Sequence, residues 1–474
     1  MTDLLQTLAE RKAQEAEKLP AFSGLNLLHI RREVSKLLGL IGREGIFDEY
    51  TSHDISHIDK MLNMLEWIVP DDTKSEMSST DWLMTVLAIY FHDLGMLVTK
   101  EEYNNRYNSG FPNYRDEELF ISGDSVSDYA VKVKELDEEK SERFLYQEFV
   151  RHKHSERIRN WIMGNTYDHL GISHQTISAI DDLLRPFNIL FRRDLALVCE
   201  SHHLDDLNDF EKYQVSQPYG DSDAETVNLQ YCAVLLRTVD LLHMTSDRTP
   251  SIVFKTINPT DPISQEEWAK QRAVNRVRPK VGVDREGSLD NNAAKDTIQI
   301  HAYFNKKDGF FGLTSYLSNV QKQIYQSYNW VKAANENQAV SHKFPWRFID
   351  DKNIETEGFI PKKFEFTFDQ AKILDLLTGH TLYNDTDVVL RELVQNSIDA
   401  IRVQYLIDKD KQANFGKVEI NWDSKKRILS VKDNGTGMTQ EIVEQNLLKV
   451  GSSRYQDSQF KKLYPEFTPI SRFG

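Results

Sequence analysis

IYFHDLGM, residues Ile89–Met96, places a histidine and an aspartate side by side at the end of an apolar run with helical spacing. Imidazole and carboxylate groups are natural ligands for Zn, Mn, Fe and related divalent ions. An adjacent His-Asp pair also arises by chance. His92 and Asp93 therefore indicate a metal site only if residues of the same chemistry occur at helical positions elsewhere in the chain.

Such residues do recur, each in apolar helical sequence. They are His53 and His57 in YTSHDISHI, His154 in RHKHSERI, His202 and His203 in CESHHLDDL, and Asp240 in LLRTVDLLHM. Any one histidine is more simply explained as a surface or core residue, and His53, His152 and His243 keep that explanation, although His53 could contact a substrate. The ordered set of His, His-Asp, His, His-His and Asp is hard to obtain by accident. It predicts a two-metal centre that activates water and neutralises a phosphate in the transition state.

This order resembles the HD superfamily of metal-dependent phosphohydrolases, in particular its two-metal branch, over roughly residues 45–248. The resemblance implies a first ion held by His57, His92, Asp93 and Asp240, and a second held by Asp93, His154, His202 and His203. Asp93 would bridge the ions and carry the catalysis. His152 competes with His154, although the helical sequence in HSERI favours His154. The ions would be Mn, Fe, Zn or Mg, and the substrate a nucleotide, cyclic nucleotide or nucleic-acid phosphoester.

Two further features bear on the substrate. The family's cyclic-dinucleotide branch carries a GYP motif, whereas LDDL follows His203 here, so cyclic di-GMP is not implied. A phosphate substrate also calls for a cation. Lys153, Arg157 and Arg248 are nearest to the proposed ligands in sequence, but a solvated helix surface is the simpler explanation of each.

The length of the chain and the pattern of its residues favour a multidomain α + α/β protein. A chain of 474 residues is too long for one ordinary core. Residues 1–248 are predicted to form an all-helical domain, 249–360 a mixed α/β coupling region, and 361–474 part of an α/β domain. The polar stretch Phe111–Asp128 is interpreted as an insertion or lid, Thr297–Phe304 as a strand, and Leu313–Trp330 as a helix.

The amino-acid composition limits the cellular location and the partners that we expect for the protein. Cys199 and Cys232 lie in apolar helical sequence and are predicted to be buried thiols of a cytoplasmic protein. No apolar run approaches about 18 residues, so no membrane span is expected. A net charge of −15 argues against broad affinity for nucleic acid but leaves room for a local basic groove. The most basic tract is KQRAVNRVRPK, residues 270–280, which could meet an acidic partner or be solvated.

A second motif lies near the C-terminal end. LRELVQNSIDAIR, Leu390–Arg402, places Glu392, Asn396 and Asp399 along one helical stripe. Downstream, ILSVKDNGTGMT is a strand ending in an aspartate, followed by glycines that permit close approach to a ligand. Its residues of interest, with one more from EQNLLKVGSSR, are Asp433, Gly435, Gly437, Met438 and Asn446.

The combined motif resembles the GHKL ATPases, most closely the ninety-kilodalton heat-shock chaperones, over about residues 362–474. FDQAKILDLLTGH would be one of their opening helices. The resemblance implies that Glu392 is the general base for water and that ATP binds with Mg²⁺ through Asn396, Asp399, Asp433, Gly435, Gly437, Met438 and Asn446. The last residues, ISRFG, resemble the first half of the family's lid motif. We therefore expect an incomplete GHKL sandwich with inefficient ATP hydrolysis.

Three functions follow as hypotheses. The first is a metal-dependent phosphohydrolase regulated by an ATP-binding GHKL module. The second is a chaperone-like ATP-driven clamp in which the HD domain is a non-catalytic scaffold. The third is a nucleotide sensor in bacterial defence. The partners considered are a nucleotide or nucleic-acid substrate, ATP, a second copy of the chain and a protein client, with no membrane. The complete set of metal ligands favours the first hypothesis, because a scaffold does not need them.

Overall fold

Helices form most of the structure. The structure is a computed structural model, and it describes residues 5–42, 46–47, 54–119, 133, 136–165, 174–246, 262–282, 290, 295–307, 309–337, 340–360, 367–368, 387–408, 410, 414–424, 427–450, 453–456 and 458–470. The chain separates into two compact units, Met1–Pro361 and Lys362–Gly474. The finer three-part division predicted from the sequence stays a prediction.

Most helices of the first unit precede residue 245. In chain order they are α1 (Leu8–Gln14), α2 (Leu27–Leu38), α3 (Ile55–Ile68), α4 (Asp71–Glu76), α5 (Ser79–Phe91), α6 (Lys100–Asn104), α7 (Phe111–Leu119), α8 (Glu138–Ile162), α9 (His174–Leu184), α10 (Ile189–Ser201) and α11 (Leu229–Leu242). Side-chain caps set several starts: Asp54 caps α3, Asp137 caps α8 and Asn228 caps α11. Between α10 and α11, β1 (Gln217–Pro218) pairs with β2 (Thr226–Val227).

The central helix of this unit is α5. A capping box between Ser78 and Asp81 starts it, and every residue from Thr80 to Phe91 is buried. A helix that is apolar all round must be surrounded by protein, and α1, α3, α10 and α11 all pack on α5. The chain then tightens into a 3₁₀ turn, His92–Met96, which we name the HDLGM turn. The core thus places the HDLGM turn at the junction of several helices.

The remainder of the first unit is a three-stranded sheet with two helices. These elements are α12 (Pro262–Ala273), β3 (Val274–Pro279), β4 (Thr297–Phe304), α13 (Phe310–Asn337) and β5 (Phe348–Thr356). The strand order is β3-β4-β5, with β3 antiparallel and β5 parallel to β4. Alternate β4 residues, including Ile298 and Ile300, are buried in the same hydrophobic core as the α5 residues. The strand predicted at Thr297–Phe304 is observed at those residues.

The second unit is smaller. Its elements are β6 (Thr367–Phe368), α14 (Asp387–Ile407), β7 (Val418–Asp423), β8 (Ile428–Asp433), α15 (Gln440–Ile442), a π-helical turn (Val443–Leu447), β9 (Lys449–Val450) and α16 (Ser458–Leu463). β7 and β8 form an antiparallel pair, and β6 pairs with β9 in parallel. The predicted helix in FDQAKILDLLTGH, residues 369–380, lies outside the described residues, as do His53 and Arg248.

The stretch predicted to be an insertion or lid begins as a helix, Phe111–Leu119, whose Phe111 ring packs on Tyr146 and Phe149 of α8, and its residues 120–128 lie outside the described residues. One sequence-based expectation needs correction. One stretch among the described residues, Ser79–Asn104, is long and apolar enough to cross a membrane by composition, although no apolar run of that length was expected. Its most apolar window is 89% buried within the protein, as the core position of α5 requires. Both cysteines are free and buried, as expected.

Candidate metal centre and nucleotide site

The structure brings the seven predicted metal ligands together from five places in the chain. The HDLGM turn provides His92 and Asp93, and α3 provides His57. The other four are His154 on α8, His202 and His203 at the C-terminal end of α10, and Asp240 on α11. Their role as ligands stays a prediction, which the geometry below supports.

The first group surrounds one oxygen of Asp93. His57 Nε2 lies 3.3 Å and His92 Nε2 lies 3.2 Å from Asp93 Oδ2. Potential ligand atoms of these three residues all lie within 4.8 Å of one another. Asp240 Oδ1 approaches from α11 and lies 3.8 Å from His92 Nε2. Two imidazole nitrogens and two carboxylates therefore face one point.

The second group lies beside the other oxygen of Asp93. His154 Nε2 is 3.7 Å from Asp93 Oδ1 and 2.9 Å from His202 Nε2. The His203 ring is 4.7 Å from the His154 ring and 4.5 Å from the His202 ring, measured between centroids. These three histidines also offer ligand atoms within 4.8 Å of one another. Asp93 thus lies between the two groups, with one oxygen toward each.

Backbone carbonyls fix the tautomers of three histidines. Nδ1 of His92 contacts Ile89 O at 2.9 Å, Nδ1 of His154 contacts Arg151 O at 2.7 Å, and Nδ1 of His202 contacts Cys199 O. A carbonyl oxygen can only accept, so each Nδ1 must carry the hydrogen and donate it. In the neutral ring, Nε2 is then an acceptor. This arrangement is typical of metal-binding histidines, whose second nitrogen is held by an outer hydrogen bond.

The contact between His154 and His202 is a direct test of whether a metal fits. Both rings carry their hydrogen on Nδ1, so the two Nε2 atoms face each other at 2.9 Å with a lone pair each. Two acceptors at that distance repel unless a cation lies between them or beside both. Two nitrogens that each lie about 2.1 Å from a common ion are about 3.0 Å apart at octahedral angles and about 3.4 Å apart at tetrahedral angles. The donor set therefore fits a bound divalent metal.

The second group stays neutral at ordinary pH. Burial, reinforced by the nearby His203 imidazole, lowers the pKa of His154 to about 3. Burial together with His203 and His154 also lowers the pKa of His202 well below its usual value. Neutral imidazole is the form that binds metals. These histidines are therefore ready to accept a cation without losing a proton.

The first group has the opposite electrostatics. Burial disfavours the charged form of His92, but the carboxylates of Asp93 and Asp240 outweigh burial and raise its pKa to about 10. Burial likewise opposes ionisation of Asp240, yet His92 and His202 hold its pKa below the usual value. A metal bound here must displace the proton on His92, so the affinity of this group should fall as the pH is lowered.

Two members of the centre reach solvent. His203 is exposed, and the Asp240 side chain is 30% exposed, whereas His57, His92, Asp93, His154 and His202 are buried. The exposed members belong to different groups. Each group therefore has one member that reaches the protein surface.

His243 is a site residue that the sequence analysis missed. Its Nδ1 lies 2.5 Å from Nδ1 of His57, the rings stack at 4.7 Å between centroids, and His243 is 3% exposed. If His57 Nε2 faces a metal, its Nδ1 carries the hydrogen and donates it to His243. His243 then holds His57 in position. The sequence did contain a signal for this role, because His243 lies three residues after Asp240. That spacing places the two side chains near one face of the C-terminal end of α11.

Gly95 and Arg157 join the HDLGM turn to α8. A Cβ at Gly95 would lie 2.0 Å from His154 O, so only glycine allows this approach. Arg157 donates from Nε to Gly95 O and from Nη2 to Leu97 O, both at 2.7 Å, and from Nη1 to Glu102 Oε1 at 2.6 Å. Its guanidinium is fully buried. Arg157 is thus neither a phosphate clamp nor a solvated surface residue. Lys153 is partly exposed and pairs with Glu156.

Gly95→Ala should reduce turnover about 100-fold, because the added methyl group must push the HDLGM turn away from α8 and separate Asp93 from His154. The measurement is steady-state hydrolysis with each candidate metal, alongside metal stoichiometry. Gly164→Ala is the control, since no atom lies within 4 Å of a Cβ there and only its positive φ adds strain. Wild-type turnover of Gly95→Ala would show that this close approach does not position the centre.

The second unit places two predicted ATP-site residues on one face of α14. Glu392 and Asn396 are four residues apart, and Glu392 Oε2 and Asn396 Oδ1 are buried with no hydrogen-bond partner among the described residues. Buried polar atoms without partners are uncommon and usually mark a missing ligand, ion or water. This pair fits the predicted roles in water activation and Mg²⁺ coordination, which stay predictions.

The remaining predicted ATP-site residues differ in their surroundings. The carboxylate of Asp399 is buried, accepts from Ile470 N and pairs with Arg402, so it anchors the segment before SRFG. Asp433 Oδ1 accepts from Gly435 N at 2.9 Å. A Cβ at Gly435 would lie 2.6 Å from the carbonyl carbon of Ala400. The missing side chain at Gly435 therefore allows α14 to pack closely here and does not make room for a ligand.

Gly437, Met438 and Asn446 lie beyond that contact. Gly437 has a φ of +65°, and nothing lies within 4 Å of a Cβ there. Met438 is exposed, and Asn446 lies partly buried in the π-helical turn. Such turns occur often at functional sites. Gly437 and Met438 are therefore accessible to a ligand in the described structure, and the part of all three residues in nucleotide binding stays a prediction.

Comparison with known proteins decides the family. A family model described as HD-CE matches residues 47–324, more than half of the chain. The chain belongs to the HD-CE family. A second model, described as histidine kinase-, DNA gyrase B- and HSP90-like ATPase, matches residues 383–474. The prediction of an HD-type domain followed by a GHKL ATPase domain is confirmed.

The HD-CE protein is also similar to chaperones over a short length. It is 35% identical over 118 residues to the chaperone protein HtpG of Alkaliphilus oremlandii, covering 23% of this chain and 18% of that protein. It is 38% identical over 99 residues to an endoplasmin homologue of Arabidopsis thaliana, covering 19% of this chain and 12% of that protein. The chain thus spans less than a fifth of the length of these relatives. No solved structure matches the chain.

Asp433→Asn in the HD-CE protein should weaken ATP binding at least tenfold, because the resemblance to GHKL ATPases implies that Asp433 accepts from the adenine amine, in a charge-assisted hydrogen bond worth about 1.5–3 kcal/mol. Equilibrium dialysis with labelled ATP measures the change. Asp423→Asn is the matched control, since Asp423 also ends a strand but lies outside the motif. Equal ATP affinity in the two variants would contradict the assignment of Asp433.

Proposed function

We propose that the HD-CE domain is a metal-dependent phosphohydrolase that acts on a nucleotide, cyclic nucleotide or nucleic-acid phosphoester. One observation carries the proposal. Asp93 directs Oδ2 at His57 and His92 from 3.3 and 3.2 Å, and Oδ1 lies 3.7 Å from His154. A carboxylate between two sets of imidazoles suits a bridge between two cations, which is the arrangement used for in-line displacement at phosphorus.

The predicted ligands would form two sets, one for each metal ion. His57, His92, Asp93 and Asp240 would hold one ion, and Asp93, His154, His202 and His203 the other. When bound, the two ions supply an activated water and neutralise charge on the phosphoester. The Nδ1 hydrogen bonds hold His92, His154 and His202 with Nε2 inward. Asp240 is partly exposed, and its lowered pKa keeps it ionised, which is the form in which a carboxylate binds a metal.

The GHKL module would regulate this centre. The unpartnered oxygens of Glu392 and Asn396 support an ATP·Mg²⁺ site in the second unit. If ATP binding favours one state of the protein in which the metal centre is more active, substrate binding must in turn favour ATP. We therefore propose that ATP controls hydrolysis. A cytoplasmic location, a homodimer and a protein client stay predictions.

A chaperone-like ATP-driven clamp is the second candidate. Similarity to HtpG and to the endoplasmin homologues favours it. In that case the HD-CE domain would be a scaffold, and its histidines would have no need to face one another. The facing Nε2 atoms of His154 and His202, which are costly without a cation, favour the hydrolase.

Metal removal is the experiment that tests the hydrolase. Chelator-treated protein should lose at least about 99% of its activity, and added Mn²⁺, Fe²⁺ or Zn²⁺ should restore it. The assay follows release of product from nucleoside triphosphates, cyclic mono- and dinucleotides and single-stranded RNA and DNA, with and without a non-hydrolysable ATP analogue. Activity that survives chelation, or no cleavage of any phosphoester by metal-loaded protein, would rule out the hydrolase and leave the clamp.

A further inference from the structure

His203 is held differently from the other two histidines of its group. The rings of His154 and His202 are each fixed by a hydrogen bond from Nδ1 to a backbone carbonyl. The His203 imidazole forms no hydrogen bond with any residue that the structure describes, and His203 is exposed. Its position beside the other two rings therefore depends on its backbone, which leaves α10 at this point.

Arg237 of α11 fastens the chain directly after His203. Its Nη1 donates to Leu204 O, the carbonyl one residue past His203, and its Nη2 donates to Asp205 Oδ1 at 2.6 Å. Arg237 lies three residues before Asp240, about one turn earlier on the same helix. One side chain thus joins the chain beside a predicted ligand of the second group to the helix that carries a predicted ligand of the first.

The guanidinium of Arg237 is held in that position from α13. Its Nε donates to Gln323 Oε1 at 2.9 Å, and its Cζ lies 5.5 Å from the centroid of the Trp330 ring. Gln323 and Trp330 are seven residues apart on α13, so they lie on the same face of that helix. Each of the three guanidinium nitrogens therefore donates to a different residue.

The ion pair of Arg237 does not explain its burial. Arg237 is 2% exposed, whereas the side chain of its partner Asp205 is 73% exposed. A buried cation whose partner is solvated gains little from the pair, and an apolar residue of similar volume is often as stable in such a place. Lysine offers its donors from a single atom and cannot reach three acceptors in three directions. The position therefore requires the forked shape of the guanidinium.

We propose that Arg237 is a positioning residue of the metal centre, which fixes the backbone at His203 so that the His203 imidazole reaches the ion of the second group. The inference rests on the proposed two-metal function and adds that the two ions depend differently on Arg237. Without the guanidinium, the second group should lose its ion. The first group should keep its ion, because Tyr316 OH still donates to Leu241 O, next to Asp240.

Metal binding is tested by calorimetric titration of chelator-treated, full-length protein with Mn²⁺ in the absence of ATP. Wild type should bind two ions. Arg237→Lys should weaken the binding of one ion at least tenfold, as the loss of an outer support of a ligand does, and change the other less than about threefold. Arg193→Lys is the matched control, since Arg193 lies on α10 and pairs with its neighbour Asp194. Equal weakening of both ions, or of neither, overturns the positioning role.

A double-mutant cycle tests whether Arg237 acts through His203. His203→Ala should weaken the same ion, and Arg237→Lys added to His203→Ala should cause less than about twofold further loss. Additive losses would mean that Arg237 acts elsewhere and would overturn the inference.

Hydrogen exchange in the metal-free protein tests the backbone directly. The Leu204 amide, which donates to Ser201 O in the wild type, should exchange at least about fivefold faster in Arg237→Lys, while the amides of α5 keep their protection. Unchanged exchange at Leu204, or faster exchange throughout the first unit, overturns the positioning role.

Failure of the proposed function is seen in the wild type alone. If wild-type protein binds no Mn²⁺ or cleaves no phosphoester, the proposed function fails, and the inference fails with it. If wild type binds two ions and hydrolyses substrate but Arg237→Lys also binds both ions normally, only the inference fails. The two failures are therefore distinguishable.

Discussion

Replacing Asp93 with asparagine should lower phosphoester hydrolysis at least about 1,000-fold, which corresponds to about 4 kcal/mol of lost transition-state stabilisation. Asparagine has the shape of aspartate but offers one acceptor oxygen and no charge, so it cannot bridge two cations. Asp93 is the residue that lies between His57 and His92 on one side and His154 on the other. The measurement is steady-state hydrolysis of the best substrate at saturating metal.

Asp206→Asn is the control for this prediction. Asp206 follows His203 closely in sequence but bonds Lys212 and Tyr213, away from the centre. It should keep wild-type activity. Circular dichroism should show both variants folded, which separates lost chemistry from lost structure. If Asp93→Asn retains more than about a tenth of wild-type turnover, Asp93 does not bridge metals.

Arg157→Met should lower the free energy of unfolding of the first unit by about 3–5 kcal/mol. Methionine removes the buried guanidinium and leaves the Glu102 carboxylate buried without its charged partner, 2.6 Å away in the wild type. It also removes one hydrogen bond to Gly95 O in the HDLGM turn and one to Leu97 O directly after it. The measurement is urea denaturation followed by tryptophan fluorescence, since every tryptophan except Trp422 lies in the first unit.

Arg143→Met on the same helix is the control. Arg143 pairs with Glu139 on the exposed surface, and such pairs contribute about 0–1 kcal/mol. A second variant, Arg157→Met with Glu102→Leu, should recover part of the loss because no buried charge is left unpaired. If the single and the double variant are equally destabilised, the lost Arg157–Glu102 ion pair accounts for the lower free energy of unfolding, and the unpaired buried Glu102 carboxylate does not.

The sequence predicts much of the helical fold and the members of the candidate centre. Apolar residues three and four apart mark α5, α8 and α11, because burial on one face requires that spacing. The predicted ligands appear as histidine and aspartate in otherwise apolar helices, where polar groups are expensive and stand out. β4 is recognisable from strict alternation, TIQIHAYF, since one face packs on the core.

Long-range contacts set what the sequence leaves undetermined. Arg157 is interpreted as a surface residue because its carboxylate partner, Glu102, lies on another helix, and nothing local indicates burial. The role of Gly95 depends on how closely α8 approaches. α7 has little helical periodicity, and Phe111 holds it only through packing on α8. Gly435 has the sequence of a ligand loop but packs on Ala400.

The central claim is that Asp93 joins two metal ions, and anomalous diffraction from crystals of the Mn²⁺-loaded protein tests it most directly. We expect two peaks flanking Asp93. One should be surrounded by His57, His92 and Asp240, and the other by His154, His202 and His203. The absence of any peak beside Asp93, or a metal bound only elsewhere in the chain, would contradict the two-metal centre.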